Sequence, residues 1–221
     1  MADGVRDILP PMIAAAPIGL LYGALAVGKG MTQLEASLSS LLVFAGGAQF
    51  AALELWRSSP PILALAFSTL LINARHILMG ASLKPKLGQF SSSERAFGLF
   101  FMADENWAMA ERRARGRPLT TAYYFAMSVV FWANWNLWTA LGAAGGALLG
   151  DPKRIGADFA FTALFIGLVA GFWRGRSTAL TVAASAVASA LAYRFVGPPW
   201  HVAAGALSGI AVAYLYARKP A

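Results

Sequence analysis

Long uncharged, apolar stretches alternate along the whole chain with short connections that are mostly basic. Seven such stretches cover residues 8–28, 36–53, 58–74, 118–150, 159–173, 177–193 and 195–217. A helix that crosses the hydrocarbon core of a membrane needs about 20 mostly apolar residues, within a range of about 17 to 25. The pattern therefore predicts an all-α polytopic membrane protein with seven spanning helices, in which residues 1–221 form a single transmembrane domain.

A further apolar segment, residues 96–110, is short for a span and carries an acidic pair at its centre. Asp104 and Glu105 lie there between two apolar sequences. Irregular backbone is tolerated at membrane depth where it is buried in protein or lines a cavity. We therefore expect this segment to be a re-entrant helix or an eighth span. An amphipathic helix on the membrane surface is the alternative.

Lys and Arg residues are unevenly distributed among the connections. The densest group is Arg112, Arg113, Arg115 and Arg117, which the positive-inside rule assigns to the cytoplasm. Seven spans with a re-entrant segment place 12 Lys and Arg residues in the cytoplasm and five on the other side, whereas an eighth span divides them ten to seven. Both arrangements place the C-terminus in the cytoplasm. The start of the chain lacks the basic region of a cleaved signal peptide, so we expect the first span to be retained.

One charged side chain interrupts the third apolar stretch. Arg75 is the only Lys, Arg, Asp or Glu among residues 58–83, and Asn73 and His76 are close to it in sequence. An Arg near the centre of a spanning helix costs roughly 2.5 to 3.5 kcal/mol on insertion scales, so it usually faces a bundle interior or a watery cavity. The acidic pair described above supplies a counter-ion at membrane depth. We therefore expect one polar centre, with snorkelling of Arg75 to a headgroup as the alternative.

Helix-breaking residues lie near the middle of the first two stretches. Pro17 removes a backbone donor from the first, and Gly46 and Gly47 lower the helix propensity of the second. Interrupted helices in secondary transporters expose backbone groups to substrate near the membrane midplane. We therefore expect an interruption at both places, with Gln49 as a nearby amide that binds substrate. Ordinary kinking with close glycine packing is the alternative.

The stretch of residues 118–150 is longer than one span requires, because a helix of that length would extend roughly 50 Å. We expect a helix to about Trp138 and then a bent, Gly-rich segment. The three Trp residues between positions 132 and 138 are typical of a headgroup boundary. A cavity wall that includes Asn134 or Asn136 is the alternative.

Composition excludes several functional classes. Hydrophobic residues make up 58% of the chain and charged residues 13%, against about 45–50% and 25% in globular proteins. With no Cys and two distant His residues, we expect no thiol chemistry, no metal site and no redox cofactor. The net charge of +8 is spread over the connections, so no nucleic acid partner is expected. Nucleotide-binding and nucleophile motifs are absent from the sequence, so we do not expect an enzyme.

Taken together, the motifs form a combination that covers roughly residues 8–172. Its parts are Pro17 with Gly19 and Gly23, the block from Phe44 to Phe50, the run from Asn73 to His76, the pair Asp104 and Glu105, and the stretch from Trp135 to Gly150 followed by Asp158 and Phe159. This combination resembles the AzlC family, the large subunit of branched-chain amino acid exporters. The departures are modest: Gly47 stands where Ala is frequent, and Ala74 where a bulkier residue is frequent.

The resemblance implies a secondary transporter in the bacterial cytoplasmic membrane that exports branched-chain amino acids with the proton gradient. It also implies a separately encoded, small AzlD-like membrane subunit. A zwitterionic substrate needs a cation or N–H groups for its carboxylate and an acid for its ammonium group. The candidate substrate-binding residues are Arg75, Asn73, Gln49, Gly46, Gly47, Asp104 and Glu105, and the proton-coupling candidates are Asp104, Glu105 and His76.

Small residues on the late stretches suggest where that subunit could dock. They are Gly167, Gly171 and Gly175, the small residues at 183–185 and 188–190, and Gly205 and Gly209. Such residues allow helices to approach closely. The alternative is that these faces pack against each other. Two other functions remain open from sequence, namely a channel and a structural subunit without transport chemistry of its own.

Overall fold

A computed structural model describes residues 1–56, 61–146, 173–197 and 200–217, together with isolated positions between 159 and 170. Every regular element in these parts of the chain is helical, which confirms the all-α prediction. The expected features at residues 147–150, Asp158 and Gly171, and the C-terminal residues 218–221, lie outside the described residues. The helices are α1 (Ala2–Gly28), α2 (Gln33–Val43), α3 (Gly46–Leu55), α4 (Ile62–Asn73), α5 (Arg75–Leu83), α6 (Ser92–Phe100), α7 (Asp104–Ala114), α8 (Thr121–Gly145), α9 (Arg176–Phe195) and α10 (Trp200–Ala217), with a 3-10 turn at Lys84–Lys86.

Within the described residues, three helical segments are long and apolar enough to cross a membrane. They are α1, the segment Ile62–Lys86 that joins α4 and α5, and α9. A single residue, Ala74, separates α4 from α5. The described residues therefore have the apolar helices expected of a membrane protein.

The centre of the fold is the pair α1 and α8, which lie side by side and run in the same direction. Near their starts the Tyr123 hydroxyl donates to Asp7 at 2.8 Å. Farther along, a Cβ on Gly23 would meet the carbonyl oxygen of Thr139, and a Cβ on Gly142 would meet that of Leu20. The glycines therefore let the two backbones pack closely, as small residues do between membrane helices.

The expected interruption of the first stretch at Pro17 is wrong, because α1 is one continuous helix that contains Pro10, Pro11 and Pro17. Proline deprives the carbonyl four residues earlier of its hydrogen bond. Neighbouring helices and local adjustments compensate for such a loss in membrane helices. Close packing on α8 and the bond from Asn134 to the Met12 carbonyl hold this part of α1.

The second stretch is interrupted, but before the glycine pair. Phe44 ends α2 in the left-handed region with φ of 43°, and Gly46 and Gly47 are the first residues of α3. Gln49 Nε2 on α3 donates to Ser40 Oγ on α2 at 2.8 Å, although nine residues of straight helix would separate them by about 13 Å. Tyr22 on α1 also contacts both Ser39 on α2 and Phe50 on α3, so the two helices fold back on each other, and α2–α3 is called the first hairpin.

Residues 96–110 belong to a second hairpin, formed by α6 and α7. Before its tip, the Gly98 carbonyl accepts a bond of 2.9 Å from the Tyr124 hydroxyl, and Phe101 contacts Trp132 at a ring distance of 5.7 Å. After its tip, the chain returns along α8, because the Arg113 guanidinium lies 3.9 Å from the ring of Tyr123. Both ends of the second hairpin therefore lie beside the start of α8.

The two hairpins approach the α1–α8 pair from opposite ends. In the first hairpin, Ser40 donates to Thr139 near the end of α8 at 2.9 Å. The tip residue Phe44, four positions later, contacts Phe131 nearer the start of α8. This hairpin therefore enters from the far end of α8. Each hairpin starts with a capping box, Thr32 with Glu35 and Ser91 with Glu94. The backbone bond to each N-cap residue lowers the pKa of the Glu carboxyl.

The expected end of a helix near Trp138 is wrong, since α8 continues to Gly145. Gly142 lies in that last part, against the backbone of Leu20. Glycine costs helix stability through backbone entropy, and the close contact with α1 offsets that cost.

The last two described helices pack against each other through the small residues named above. Ser185 and Ser189 on α9 donate to the carbonyls of Gly205 and His201 on α10, each at 2.9 Å. A Cβ on Gly205 would meet the hydroxyl of Ser189, and one on Gly209 that of Ser185. This is the alternative stated above, so the two glycines of α10 do not provide a free docking face.

Candidate functional site

A central cavity lies where three helices begin. Gly46 starts α3, Arg75 starts α5 and Asp104 starts α7, and all three residues line the cavity. The first N–H groups of a helix have no partner within the helix, and its N-terminus carries partial positive charge. The breaks before α3 and α7 therefore place two helix N-termini beside one cavity.

Arg75 and Asp104 form an ion pair in this cavity. The distance from Arg75 Nη1 to Asp104 Oδ2 is 2.8 Å, and the side chains are 29% and 23% exposed. Arg75 Nε is buried and has no hydrogen-bond partner in the described residues. Asp104 therefore does not satisfy every donor of the guanidinium group. The expected pairing of Arg75 with an acid of the 96–110 segment is present in the structure.

Glu105 lines the cavity beside this pair. In the described part of the chain, no ion pair involves Glu105. The charge of Asp104 is matched by Arg75, so Glu105 is the carboxylate that can meet a cationic ligand.

His76 lies at the edge of the cavity and connects two interrupted segments. Its Nε2 is 3.1 Å from the Met102 carbonyl oxygen at the tip of the second hairpin, and its Nδ1 is 3.1 Å from that of Asn73. A carbonyl only accepts, so a neutral ring, with a single N–H, makes one of these bonds. A doubly protonated ring makes both. His76 thus contacts both the end of α4 and the tip of the second hairpin.

Gln49 and Asn73 lie outside the lining of the central cavity. Gln49 is 2% exposed and accepts a bond of 3.1 Å from Trp135 Nε1. It therefore positions Trp135, which lines the cavity, without lining the cavity itself. Asn73 lines a neighbouring pocket together with His76, and its Oδ1 is buried without a hydrogen-bond partner in the described residues. Direct substrate contact by either amide stays a prediction. The other candidates, Gly46, Gly47, Arg75, His76, Asp104 and Glu105, all line the central cavity.

An apolar wall completes the cavity, and the sequence interpretation did not identify the residues that form it. The wall is formed by Ile18, Phe44, Phe50, Phe131 and Trp135. Trp135 is 6% exposed, and its ring lies 3.1 Å from the place of a Cβ on Gly46, so the headgroup interpretation of this Trp is wrong. The signal was the spacing of four between Met127, Phe131, Trp135 and Thr139, which marks one buried face of α8.

The alternative that Asn134 or Asn136 lines the wall is not supported by their contacts. Asn134 Nδ2 donates to the Met12 carbonyl at 3.2 Å, and Asn136 Nδ2 donates to the Trp132 carbonyl at 2.8 Å. Neither residue is part of the cavity lining. These two amides therefore stabilise the backbone of α1 and α8.

Asn106 is a second residue that the sequence interpretation missed. It is 0% exposed, and its Oδ1 accepts the Ala103 N–H at 2.8 Å. Its Nδ2 donates to the Phe101 carbonyl at 2.6 Å and to Ser128 Oγ on α8 at 2.9 Å. Asn106 thus ties the tip of the second hairpin to α8, and this fixes the start of α7.

Comparison with known proteins gives the family of the chain. A sequence model of the AzlC protein matches residues 10–149, which is more than half of the chain. The chain belongs to the AzlC family. This match extends from α1 past the end of the described part of α8 and includes every residue that lines the central cavity.

Several relatives of this chain are named as membrane proteins or as a transport protein. The branched-chain amino acid transport protein AzlC of Bacillus subtilis (strain 168) is 30% identical over 80% of this chain and 70% of its own length. The inner membrane protein YgaZ of Escherichia coli (strain K12) is 28% identical over 97% of this chain and 90% of its own. A membrane protein of Archaeoglobus fulgidus is 32% identical over 85% of this chain and 82% of its own. No solved structure matches the chain.

Proposed function

We propose that this AzlC-family chain is the large subunit of a secondary transporter that exports branched-chain amino acids from the bacterial cytoplasm. The observation that carries the proposal is the central cavity, which combines a paired Arg, a carboxylate without an ion-pair partner in the described residues and an apolar wall. The Bacillus subtilis relative, a branched-chain amino acid transport protein by name, supports the substrate class.

The carboxylate of the substrate binds at the positive side of the cavity. Arg75 Nε is an unsatisfied donor there, and the N–H groups of Gly46 and Gly47 are the first of α3. Charge-assisted bonds of this kind are shorter and stronger than those between neutral groups. A helix N-terminus adds attraction for a negative charge.

The ammonium group of the substrate binds Glu105, which lies beside the Arg75–Asp104 ion pair. A zwitterion can also exchange partners with that pair, because its carboxylate matches Arg75 and its ammonium matches Asp104. The aliphatic side chain then packs on the wall formed by Phe44, Phe131 and Trp135. Leucine, isoleucine, valine and methionine satisfy all three requirements.

Protons drive export through the same acids. A carboxylate that holds either a proton or the substrate ammonium couples the two ligands by competition. Asp104 and Glu105 are the coupling candidates, with His76 as a third because its hydrogen bonds depend on its protonation.

The two hairpins fit a transporter with re-entrant segments from opposite sides of the membrane. The chain start lies beside the Arg cluster, since Asp3 contacts Arg113 at 3.5 Å. If α2–α3 is re-entrant and residues 159–173 span as their hydropathy predicts, six spans remain in place of seven. The N-terminus, the Arg cluster and the C-terminus then all face the cytoplasm. The division of Lys and Arg stays at 12 to five, because Arg6 and Lys29 exchange sides.

Opposed hairpins and interrupted helices around a midplane site are typical of secondary transporters with inverted repeats. This arrangement favours transport over the structural-subunit alternative. A small AzlD-like membrane subunit completes the exporter in this proposal.

Efflux from cells tests the function. Cells that co-express this chain and the small subunit are loaded with labelled leucine, isoleucine, valine or methionine, and the external label is followed with and without a protonophore. We expect faster efflux than in cells with empty vector, and slower efflux for Glu105→Gln. Glu54→Gln is the matched control because Glu54 is exposed and lies outside the cavity. Equal efflux with and without the chain would refute the export proposal, and a protonophore-insensitive efflux would refute proton coupling alone.

A further inference from the structure

An amphipathic groove runs along the outer faces of α5 and α6, apart from the central cavity. Its walls are mostly apolar, and they include Ile77, Gly80, Ala81 and Leu99. Ile77 is 74% exposed and Leu99 is 49% exposed, so this surface faces outward from the helix bundle. The groove has a volume of about 340 Å³, which lies at the lower end of the usual range for small-molecule sites of about 300 to 1,000 Å³.

Two cations lie at one end of the groove. Lys84 follows α5 and Arg95 lies in the first turn of α6, so both belong to the end of the groove next to the α5–α6 connection. No acidic residue is part of its lining in the described residues. Glu94 lies next to Arg95 in sequence, but its carboxylate accepts the Ser91 N–H at 2.7 Å.

These two cations differ from their neighbour Lys86. Lys86 is paired with Glu111 at 2.5 Å, whereas no ion pair in the described residues involves Lys84 or Arg95. Both side chains are exposed. Basic pockets between membrane helices at the cytoplasmic side bind anionic lipid headgroups, and the cationic end of this groove has that character.

We propose that the groove binds one anionic phospholipid. Its phosphate lies between Lys84 and Arg95, and an acyl chain lies along Ile77, Gly80 and Leu99. A Cβ on Gly80 would stand 3.2 Å from the Leu99 side chain, so glycine keeps the floor of the groove open. An amino acid substrate does not fit this site, because the described lining offers no acid for its ammonium group.

The lipid would contact the transport machinery through one residue. His76 lines both the groove and the central cavity, and it bonds the tip of the second hairpin at Met102. A lipid in the groove therefore contacts His76, the residue that lines the groove on one side and the central cavity on the other.

Native mass spectrometry of the delipidated full chain tests the site without any transport assay. The chain is titrated with phosphatidylglycerol and, separately, with phosphatidylcholine of the same acyl composition. We expect tighter binding of phosphatidylglycerol, and a loss of about tenfold or more in its affinity for the double variant Lys84→Ala with Arg95→Ala. The matched control, Arg112→Ala with Arg115→Ala, removes two exposed Arg residues outside the groove and retains binding.

Two further arms test the acyl chain and the identity of the ligand. Gly80→Leu fills the groove floor and should weaken binding of both lipids, and sn-glycerol 3-phosphate should not displace phosphatidylglycerol. If the Ala pair does not elute as a folded protein, Lys84→Gln with Arg95→Gln replaces it. Equal binding of the two lipids, equal loss in the control, or full displacement by sn-glycerol 3-phosphate would overturn the proposal. Unchanged lipid binding by Gly80→Leu would do so as well.

Discussion

Arg75 and Asp104 begin two helices that run in the same direction, and their side chains meet at 2.8 Å across the central cavity. A second ion pair, between Lys86 and Glu111, lies farther along both helices and shows that they run parallel. A charged side chain within an apolar helical segment is costly unless it is paired. Asp104 offsets that cost for Arg75, and the pair holds α5 against the second hairpin.

The first prediction concerns Arg75. Arg75→Ala should lower leucine efflux by about 10- to 100-fold, because a hydrogen bond to a charged group contributes roughly 1.5 to 3 kcal/mol. Arg75→Lys should restore little of it, since an ammonium lacks the planar fork of donors. Labelled efflux measures both, with membrane insertion checked by immunoblot. Arg115→Ala serves as the control, as Arg115 is exposed and outside the cavity. Normal efflux by Arg75→Ala would support snorkelling instead.

The second prediction concerns Asn106, which positions the acidic pair without lining the cavity itself. Asn106→Ala should lower the melting temperature and the efflux rate together, since buried groups left without partners cost about 1 to 3 kcal/mol each. The matched variant Asn136→Ala should have a smaller effect, because Asn136 is only partly buried and its amide donates to its own helix. Thermal unfolding in detergent gives the comparison. Equal melting shifts for the two variants would contradict a special role of Asn106.

The polar centre could be predicted from sequence because charge inside an apolar segment has few physical explanations. Arg75 needed a partner, and residues 96–110 contained the acids that could reach it. The hairpin geometry could not be predicted from the sequence in the same way. A break in an apolar stretch does not reveal whether the chain continues or turns back, and the bonds that decide it join Gln49 to Ser40 and Asn106 to Ser128.

The errors at Pro17 and Trp135 have a common physical cause. Local propensity disfavours a helix at Pro17, but packing along α8 keeps α1 continuous. Trp is enriched at headgroups, but Trp135 is buried among Gly46 and Gln49. Tertiary contacts overrode the local preference in both cases, and only the four-residue spacing on α8 pointed to the buried face.

The third prediction concerns the contact of α1 with α8. Gly142→Ala should destabilise the protein by about 1 to 3 kcal/mol, the usual cost of overpacking, because its Cβ would clash with the Leu20 backbone. Gly145→Ala on the same helix should be neutral or stabilising by roughly 0.5 to 1 kcal/mol, as Ala favours helix. No atom of the described residues lies within 4 Å of the place of its Cβ. Denaturant or thermal unfolding measures the pair, and a neutral Gly142→Ala would show that the two helices are farther apart.

The last prediction concerns the sides from which the hairpins enter the membrane. The chain has no Cys, so single Cys substitutions can be labelled without background. Gln33→Cys and Glu54→Cys lie near the two ends of the first hairpin, and Ser93→Cys and Arg115→Cys near those of the second. In intact cells, a membrane-impermeant maleimide should label the first two positions only. The second two should react after the cells are opened, because re-entrant segments return to the side from which they enter. If Ser93→Cys and Arg115→Cys were labelled from opposite sides, residues 96–110 would be a span. Labelling of Gln33→Cys and Glu54→Cys from opposite sides would show that residues 36–53 span the membrane, as the seven-span prediction requires.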